Sequence, residues 1–70
     1  MKICDFTNPE LNILREKSNF TNDELQLFNM RANNIPLEEC AERMNLSISA
    51  IKAKSQKINS KIERVLLIDF

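Results

Sequence analysis

Hydrophobic residues recur every three or four positions through most of the chain, which is the spacing of one face of an α-helix. The 70 residues include no glycine and only two prolines, so little interrupts that pattern. The chain is therefore expected to be all-α: a small four-helix helix-turn-helix domain with a long C-terminal recognition helix. It forms a single domain over residues 1–70.

An additional N-terminal helix is predicted at about residues 8–18, before the helix-turn-helix core at about 20–62. Asn8 can cap its first turn, and Pro9 suits the first helical position. Leu11 and Leu14 then share one face. Residues 65–70 form an apolar C-terminal tail.

The second helix starts at a cap provided by Thr21 or Asn22. Asn33 and Asn34 mark its end, because asparagine tolerates the left-handed conformation that closes a helix. Pro36 starts the third helix, and Ser47 caps a fourth that runs to about Leu66. The third helix has one apolar stripe, made of Leu37, Cys40, Ala41 and Met44.

A helical wheel divides the fourth helix into three faces. The predicted core face contains Ile51, Ser55, Ile58 and Ile62. Opposite it lies a strip of small or uncharged residues, with Lys52 at its margin: Ser49, Ala53, Gln56 and Ser60. The third face is a basic flank of Lys54, Lys57, Lys61 and Arg64, which suits phosphates. Lysines that only solubilise a bundle would explain the flank, but they would not explain the narrow polar strip.

The formal net charge is zero, but the charge is unevenly distributed along the chain. Residues 1–42 contain four basic and eight acidic residues, whereas residues 43–70 contain six basic and two acidic residues. The positive part coincides with the candidate recognition helix, and this favours a DNA-binding role.

Residues 20–62 resemble the DNA-binding domain of LuxR-type (GerE-like) transcription regulators, and they are also similar to region 4 of bacterial sigma factors. In both, a helix that ends in a left-handed residue leads to a short helix of the E-I-A-E type and then to a recognition helix. The matching residues are Phe20, Thr21, Glu24, Leu27, Phe28 and Met30, followed by residues 34–62 with Glu39-Cys40-Ala41-Glu42, Met44, Ser47, Ala50-Ile51-Lys52 and Lys61-Ile62.

The resemblance implies that Lys52, Ala53 and Gln56 face bases. It also implies that Ser47, Ala50 and Lys54 lie near the phosphate backbone. Together with the wheel, it predicts two sets of DNA contacts. The base-facing residues are Ser49, Lys52, Ala53 and Gln56, and the phosphate contacts are Arg43, Ser47, Ala50, Lys54, Lys57 and Lys61.

These patterns predict a small transcription regulator, of a format that suits a bacterium or a phage, which places residues 48–62 in the major groove of double-stranded DNA. A single helix binds DNA weakly and with strong salt dependence, so a homodimer on a two-fold-symmetric site is expected. The alternative is a protein-interaction module that uses a sigma-like fold to bind RNA polymerase or another regulator. Its acidic surface would consist of Glu38, Glu39 and Glu42.

Other functional classes find little support in the sequence. The chain has no histidine, and Cys4 and Cys40 lack zinc-finger spacing, so no metal, no cofactor and no enzymatic activity are expected. There is no stretch of roughly 20 apolar residues for a membrane helix, nor a signal peptide, so a cytoplasmic protein is expected.

The apolar end at 65–70 leaves three structural alternatives open. It can extend the fourth helix and pack under the N-terminal helix, or it can form a self-pairing surface. It can also pair as a short strand with residues 2–6.

Overall fold

The computed structural model describes residues 2–69, and for Asp69 it describes the backbone only. A short 3-10 helix at Ile3–Asp5 precedes four α-helices. They are α1 (Asn8–Lys17), α2 (Asn22–Ala32), α3 (Leu37–Met44) and α4 (Ile48–Asp69). Since residues 2–69 contain no strand, the all-α prediction is confirmed. Of the three alternatives for the C-terminal run, the strand paired with residues 2–6 is absent from the described residues, and the extension of the fourth helix is present.

The core is built around α4, which contacts each of the other three α-helices. The 3-10 helix packs against α2. Phe28 of α2 lies fully buried at the centre, with the Phe20 ring centroid 5.0 Å from its own. The other large side chains that are essentially inaccessible to solvent are Leu14, Leu27, Ile51, Ile58, Ile62 and Cys40. One helix face thus supplies three of the central core positions.

Each of the first two helices starts with a reciprocal capping box. The cap of α1 is Thr7 rather than the predicted Asn8: its Oγ1 accepts from the Glu10 N–H, and Glu10 Oε1 accepts from the Thr7 N–H at 2.8 Å. Thr7 caps the helix rather than Asn8 because the capping box needs a glutamate three residues after the cap. Glu10 stands three residues after Thr7, whereas Leu11 stands three residues after Asn8. At α2 the cap is Thr21, one of the two predicted residues, with Glu24 as its partner.

Left-handed backbone occurs at three asparagines among the described residues: Asn19 with φ 55°, Asn34 with φ 60° and Asn45 with φ 56°. Asn34 and Asn45 lie beyond α2 and α3, so each reverses the chain between two helices. Asn33, predicted with Asn34 to end α2, is the cap residue itself and stays at φ −92°. Asn19, between α1 and α2, was not predicted.

The α3–α4 turn and the end of α4 decide what surface the long helix presents. Ser47 caps α4 as predicted, since its Oγ accepts from the Ala50 N–H at 3.1 Å. The 22-residue α4 continues past the expected end at Leu66, so residues 65–69 are helix rather than a separate tail. Val65 is buried, and Phe70 lies outside the described residues.

Candidate nucleic-acid interface

The outer face of α4 is a continuous exposed strip. All the residues predicted to face bases, Ser49, Lys52, Ala53 and Gln56, are exposed, and Ser60 extends the same strip. On the opposite face Ile51, Ile58 and Ile62 are buried, while Ser55 is half-buried. Because the buried and exposed sets alternate with the helical period, the structure brings the strip residues together on one surface and supports them with a rigid core.

Lys61, predicted to contact phosphate, is instead part of the core-side packing between α2 and α4. Its ammonium donates to Glu24 Oε1 and to the backbone carbonyl of Asn19, the latter at 3.2 Å. It also lies 6.0 Å from the centre of the Phe20 ring. The Lys61 ammonium thus joins the start of α2 to α4, and its contact with phosphate stays a prediction.

The carboxylate of Glu24 is held charged by this arrangement. Only 7% of its side chain is exposed, yet it accepts from Lys61 Nζ and from the Thr21 backbone N–H. The Lys61 ammonium, with the Thr21 N–H second, holds the pKa of Glu24 below its ordinary value of 4.5 even though burial acts in the opposite direction. Because Lys61 and the Thr21 N–H both contact this buried carboxylate, the contact stabilises one angle between α2 and α4.

Two other members of the predicted phosphate set are also restricted by their surroundings. Lys54 Nζ lies 3.6 Å from Asp23 Oδ2 and the side chain is half-buried, so α2 partly neutralises it. Ala50 has no side-chain donor, and its N–H donates to the Ser47 Oγ, so its predicted place near the phosphate backbone would be one of proximity only. Ser47 keeps its hydroxyl proton available for donation.

The cations that remain available lie along the outside of α4. Lys52, Lys57 and Arg64 are exposed, and none of them has an ion-pair partner among the side chains of residues 2–68. Arg43, at the end of α3, pairs with Glu39 at 3.6 Å, but both side chains are about half exposed and such surface pairs contribute little. Arg43 is thus free to exchange this partner for a phosphate.

A groove that the sequence did not predict runs between the first turn of α2 and the outer face of α4. Its floor contains Glu24, and its α4 wall contains Ala53, Lys57 and Ser60. The spacing of residues along α4 predicts which of them share the wall of the groove, but the position of α2 depends on contacts between segments that are distant in the sequence. In the groove, the acidic start of α2 lies beside the basic flank of α4.

The acidic surface of α3 is as the sequence predicted. Glu38, Glu39 and Glu42 are all exposed, on the side of α3 opposite the buried Cys40 and Ala41.

The two cysteines are free thiols that belong to the packing. Cys40 is fully buried, and burial raises the pKa of its thiol, which stays protonated and contacts the Ile35 carbonyl oxygen at 3.7 Å. Cys4 is half-buried. No cluster of three potential metal ligands occurs in the part of the chain that the structure describes. Over the same residues, no helix is both long and apolar enough to cross a membrane.

Comparison with protein-family models, with curated proteins and with solved structures finds no match to this chain. The function is therefore inferred from the geometry of α4 and its surroundings.

Proposed function

We propose that the chain is a small cytoplasmic transcription regulator that binds double-stranded DNA by laying residues 48–62 of α4 into the major groove. The observation that carries this proposal is the division of α4 into a buried isoleucine face and an exposed strip that contains no aromatic side chain and no aliphatic one larger than alanine along 49–60. A helix of this kind fits the width of the major groove, and its polar groups can reach base edges.

The proposed contacts follow from the chemistry of the exposed side chains. Gln56 can form paired hydrogen bonds with adenine, and Lys52 can donate to the acceptors of guanine. Ser49 can hydrogen-bond to several bases, and Ala53 suits a thymine methyl group. The proposed phosphate contacts are the basic or hydroxyl groups that remain available near the strip: Arg43, Ser47 and Lys57.

Membership of the LuxR-type (GerE-like) domains, or of the related sigma region 4 domains, is part of the same proposal. It is supported by the left-handed Asn34, which lies between α2 and α3, where the resemblance requires a left-handed residue. It is also supported by the short α3 and the Ser47-capped α4, which follow in the expected order.

Selection of bound sequences from random duplex DNA provides the first test, and alanine substitution provides the second. The triple variant Lys52→Ala, Gln56→Ala, Lys57→Ala should lose at least about tenfold in affinity for the selected sequence, since base contacts contribute roughly 1–3 kcal/mol each. Its affinity should also depend less steeply on salt, because two cationic contacts are removed.

A matched control exists elsewhere on the chain. Lys2→Ala, Lys17→Ala and Gln26→Ala remove the same three side-chain types and the same charge from exposed positions outside α4. This control should bind the selected DNA almost as the wild type does. Equal affinities of both triple variants, with circular dichroism showing that both are folded, would contradict the proposal.

A second function is favoured by the exposed carboxylates on α3. In this alternative the chain is an interaction module for RNA polymerase or another regulator, and Glu38, Glu39 and Glu42 meet a basic partner. Enrichment of no DNA sequence at low salt, together with a partner whose binding is lost in the Glu38→Gln, Glu39→Gln, Glu42→Gln variant, would favour it over DNA binding.

A further inference from the structure

The last turns of α4 expose apolar side chains to an unusual degree. Leu67 is 87% and Ile68 74% exposed. The remaining exposed large hydrophobic residues of the described chain, Ile13, Leu46 and Ile48, reach only 36–37%. Two adjacent aliphatic side chains with almost no intramolecular contact favour burial against another molecule.

Leu67 lies on the same line along α4 as the proposed base-facing strip. At about 100° per residue, Gln56, Ser60 and Leu67 point within roughly 20° of one direction. One stripe therefore runs the length of α4, polar and small towards its N-terminal end and apolar at its C-terminal end. The bundle packs against the opposite face, where Ile58 and Ile62 are buried, so it leaves the whole stripe accessible.

The charges beside Leu67 favour a particular partner and a particular orientation. Glu63 and Arg64 are both exposed, and they lie on opposite sides of Leu67 around the helix. In a parallel pair of α4 helices related by a two-fold axis along the helices, the flank with Glu63 meets the partner copy's flank with Arg64. In an antiparallel pair centred on Leu67, equivalent flanks lie on the same side, so no opposite charges are brought together. The surface is thus self-complementary in the parallel orientation.

The length of α4 suits such a pair to DNA. Ala53 and Leu67 are separated by 14 residues, or about 21 Å of helix. Two copies that meet at Leu67 and diverge towards their N-terminal ends can hold their strips on opposite sides of a duplex about 20 Å wide, as forked DNA-binding helices do.

We propose that Leu67 is the centre of a dimerisation surface for a second copy of this chain, with Ile68 at its margin on the flank of Arg64. The two α4 helices are parallel, joined at their C-terminal ends and forked towards DNA. The forked arrangement depends on the proposed DNA-binding function, but the parallel contact does not.

Sedimentation equilibrium of the full chain without DNA tests the contact. The wild type should be in monomer–dimer equilibrium. Leu67→Lys should raise the dimer dissociation constant by at least about tenfold, because a leucine is lost from both copies. Ile13→Lys, an equivalent change on α1, should leave the constant within about twofold. A wild type that stays monomeric at about 1 mM, or equal effects of the two lysine variants, would overturn the proposal.

Charge exchange tests the orientation. Glu63→Arg alone and Arg64→Glu alone should each weaken the dimer roughly threefold to tenfold at low salt, and the double variant should recover wild-type association. Failure of the double variant to recover would exclude the parallel pair. Because no DNA is present, a negative result here leaves the DNA-binding proposal standing. Conversely, the triple variant at Lys52, Gln56 and Lys57 should lose DNA affinity while its dimerisation is unchanged.

Discussion

At the scale of single residues, Glu24 and Lys61 combine two functions that are usually separate. Glu24 closes the capping box of α2 through the Thr21 N–H, and the same carboxylate accepts from Lys61 of α4. Lys61 is 31% exposed, whereas the Glu24 side chain is almost entirely covered. Loss of the lysine therefore leaves a buried charge with only backbone partners, which makes the pair more important for geometry than an exposed salt bridge would be.

This pair predicts a specific dependence of stability on pH. Because the pKa of Glu24 in the folded chain lies below 4.5, the unfolded chain binds a proton more readily as the pH falls through that range. The free energy of unfolding should decrease as the pH falls below about 4.5 and through the folded pKa. Glu24→Gln should be destabilised by roughly 1–3 kcal/mol at neutral pH and should show a smaller acid-dependent loss.

Urea unfolding monitored by circular dichroism at a series of pH values measures both effects. Glu16→Gln is the control, since Glu16 is exposed on α1 and makes no hydrogen bond or ion pair within residues 2–69. Parallel pH profiles for the wild type and Glu24→Gln would mean that Glu24 does not contribute to acid sensitivity.

At the scale of helices and turns, the connection between α3 and α4 depends on one left-handed residue. Asn45 adopts φ 56° and ψ 44°, and its N–H and that of Leu46 bond back to carbonyls of α3. Asparagine enters this conformation at a modest cost, whereas alanine loses about 1 kcal/mol and glycine loses nothing sterically. The direction of α4 relative to α3 is therefore set at this position.

Asn45→Ala should reduce the free energy of unfolding by about 1 kcal/mol, and Asn45→Gly should be neutral or stabilising. Thermal and urea unfolding measure the difference. Asn12→Ala and Asn12→Gly supply the control, because Asn12 lies inside α1, where alanine should be the more stable of the two by roughly 1 kcal/mol. The same preference at both positions would contradict a left-handed Asn45 in solution.

Local rules predicted most of the helices because their signals lie within a few residues of each other. Ser47 capping α4 and the end of α2 at Asn33 and Asn34 belong to this class. The cap of α1 was missed by one residue, because Asn8 before Pro9 has the pattern of a cap, whereas the reciprocal Thr7–Glu10 pair starts the helix one residue earlier. The extension of α4 past Leu66 was one of three alternatives, because no local stop signal ends the helix there, but the burial of Val65 depends on tertiary packing.

At the scale of the whole molecule, the acidic and basic parts of the sequence are folded onto each other. The start of α2 lies along the basic flank of α4, where Asp23 approaches Lys54 and Glu24 holds Lys61. Lys61 and Glu24 are 37 positions apart, so a helical wheel of α4 alone could not distinguish a lysine that is free for phosphate from one that is already paired. The polar strip was predictable, but the number of available cations was not.

This electrostatic arrangement predicts that Asp23 reduces the affinity of the chain for DNA. Asp23 is exposed and its removal should not disturb the core, while Lys54 would be released to approach a phosphate. Asp23→Asn should therefore raise affinity for duplex DNA roughly threefold to tenfold, for selected and unrelated sequences alike, and should make the salt dependence steeper. Asp5→Asn changes the net charge equally at an exposed residue of the 3-10 helix, so it should have a much smaller effect.

Fluorescence anisotropy with both DNAs at several salt concentrations measures these differences. An equal gain for the two variants would indicate a response to net charge alone, and no gain for Asp23→Asn would mean that Lys54 does not contact the backbone of bound DNA.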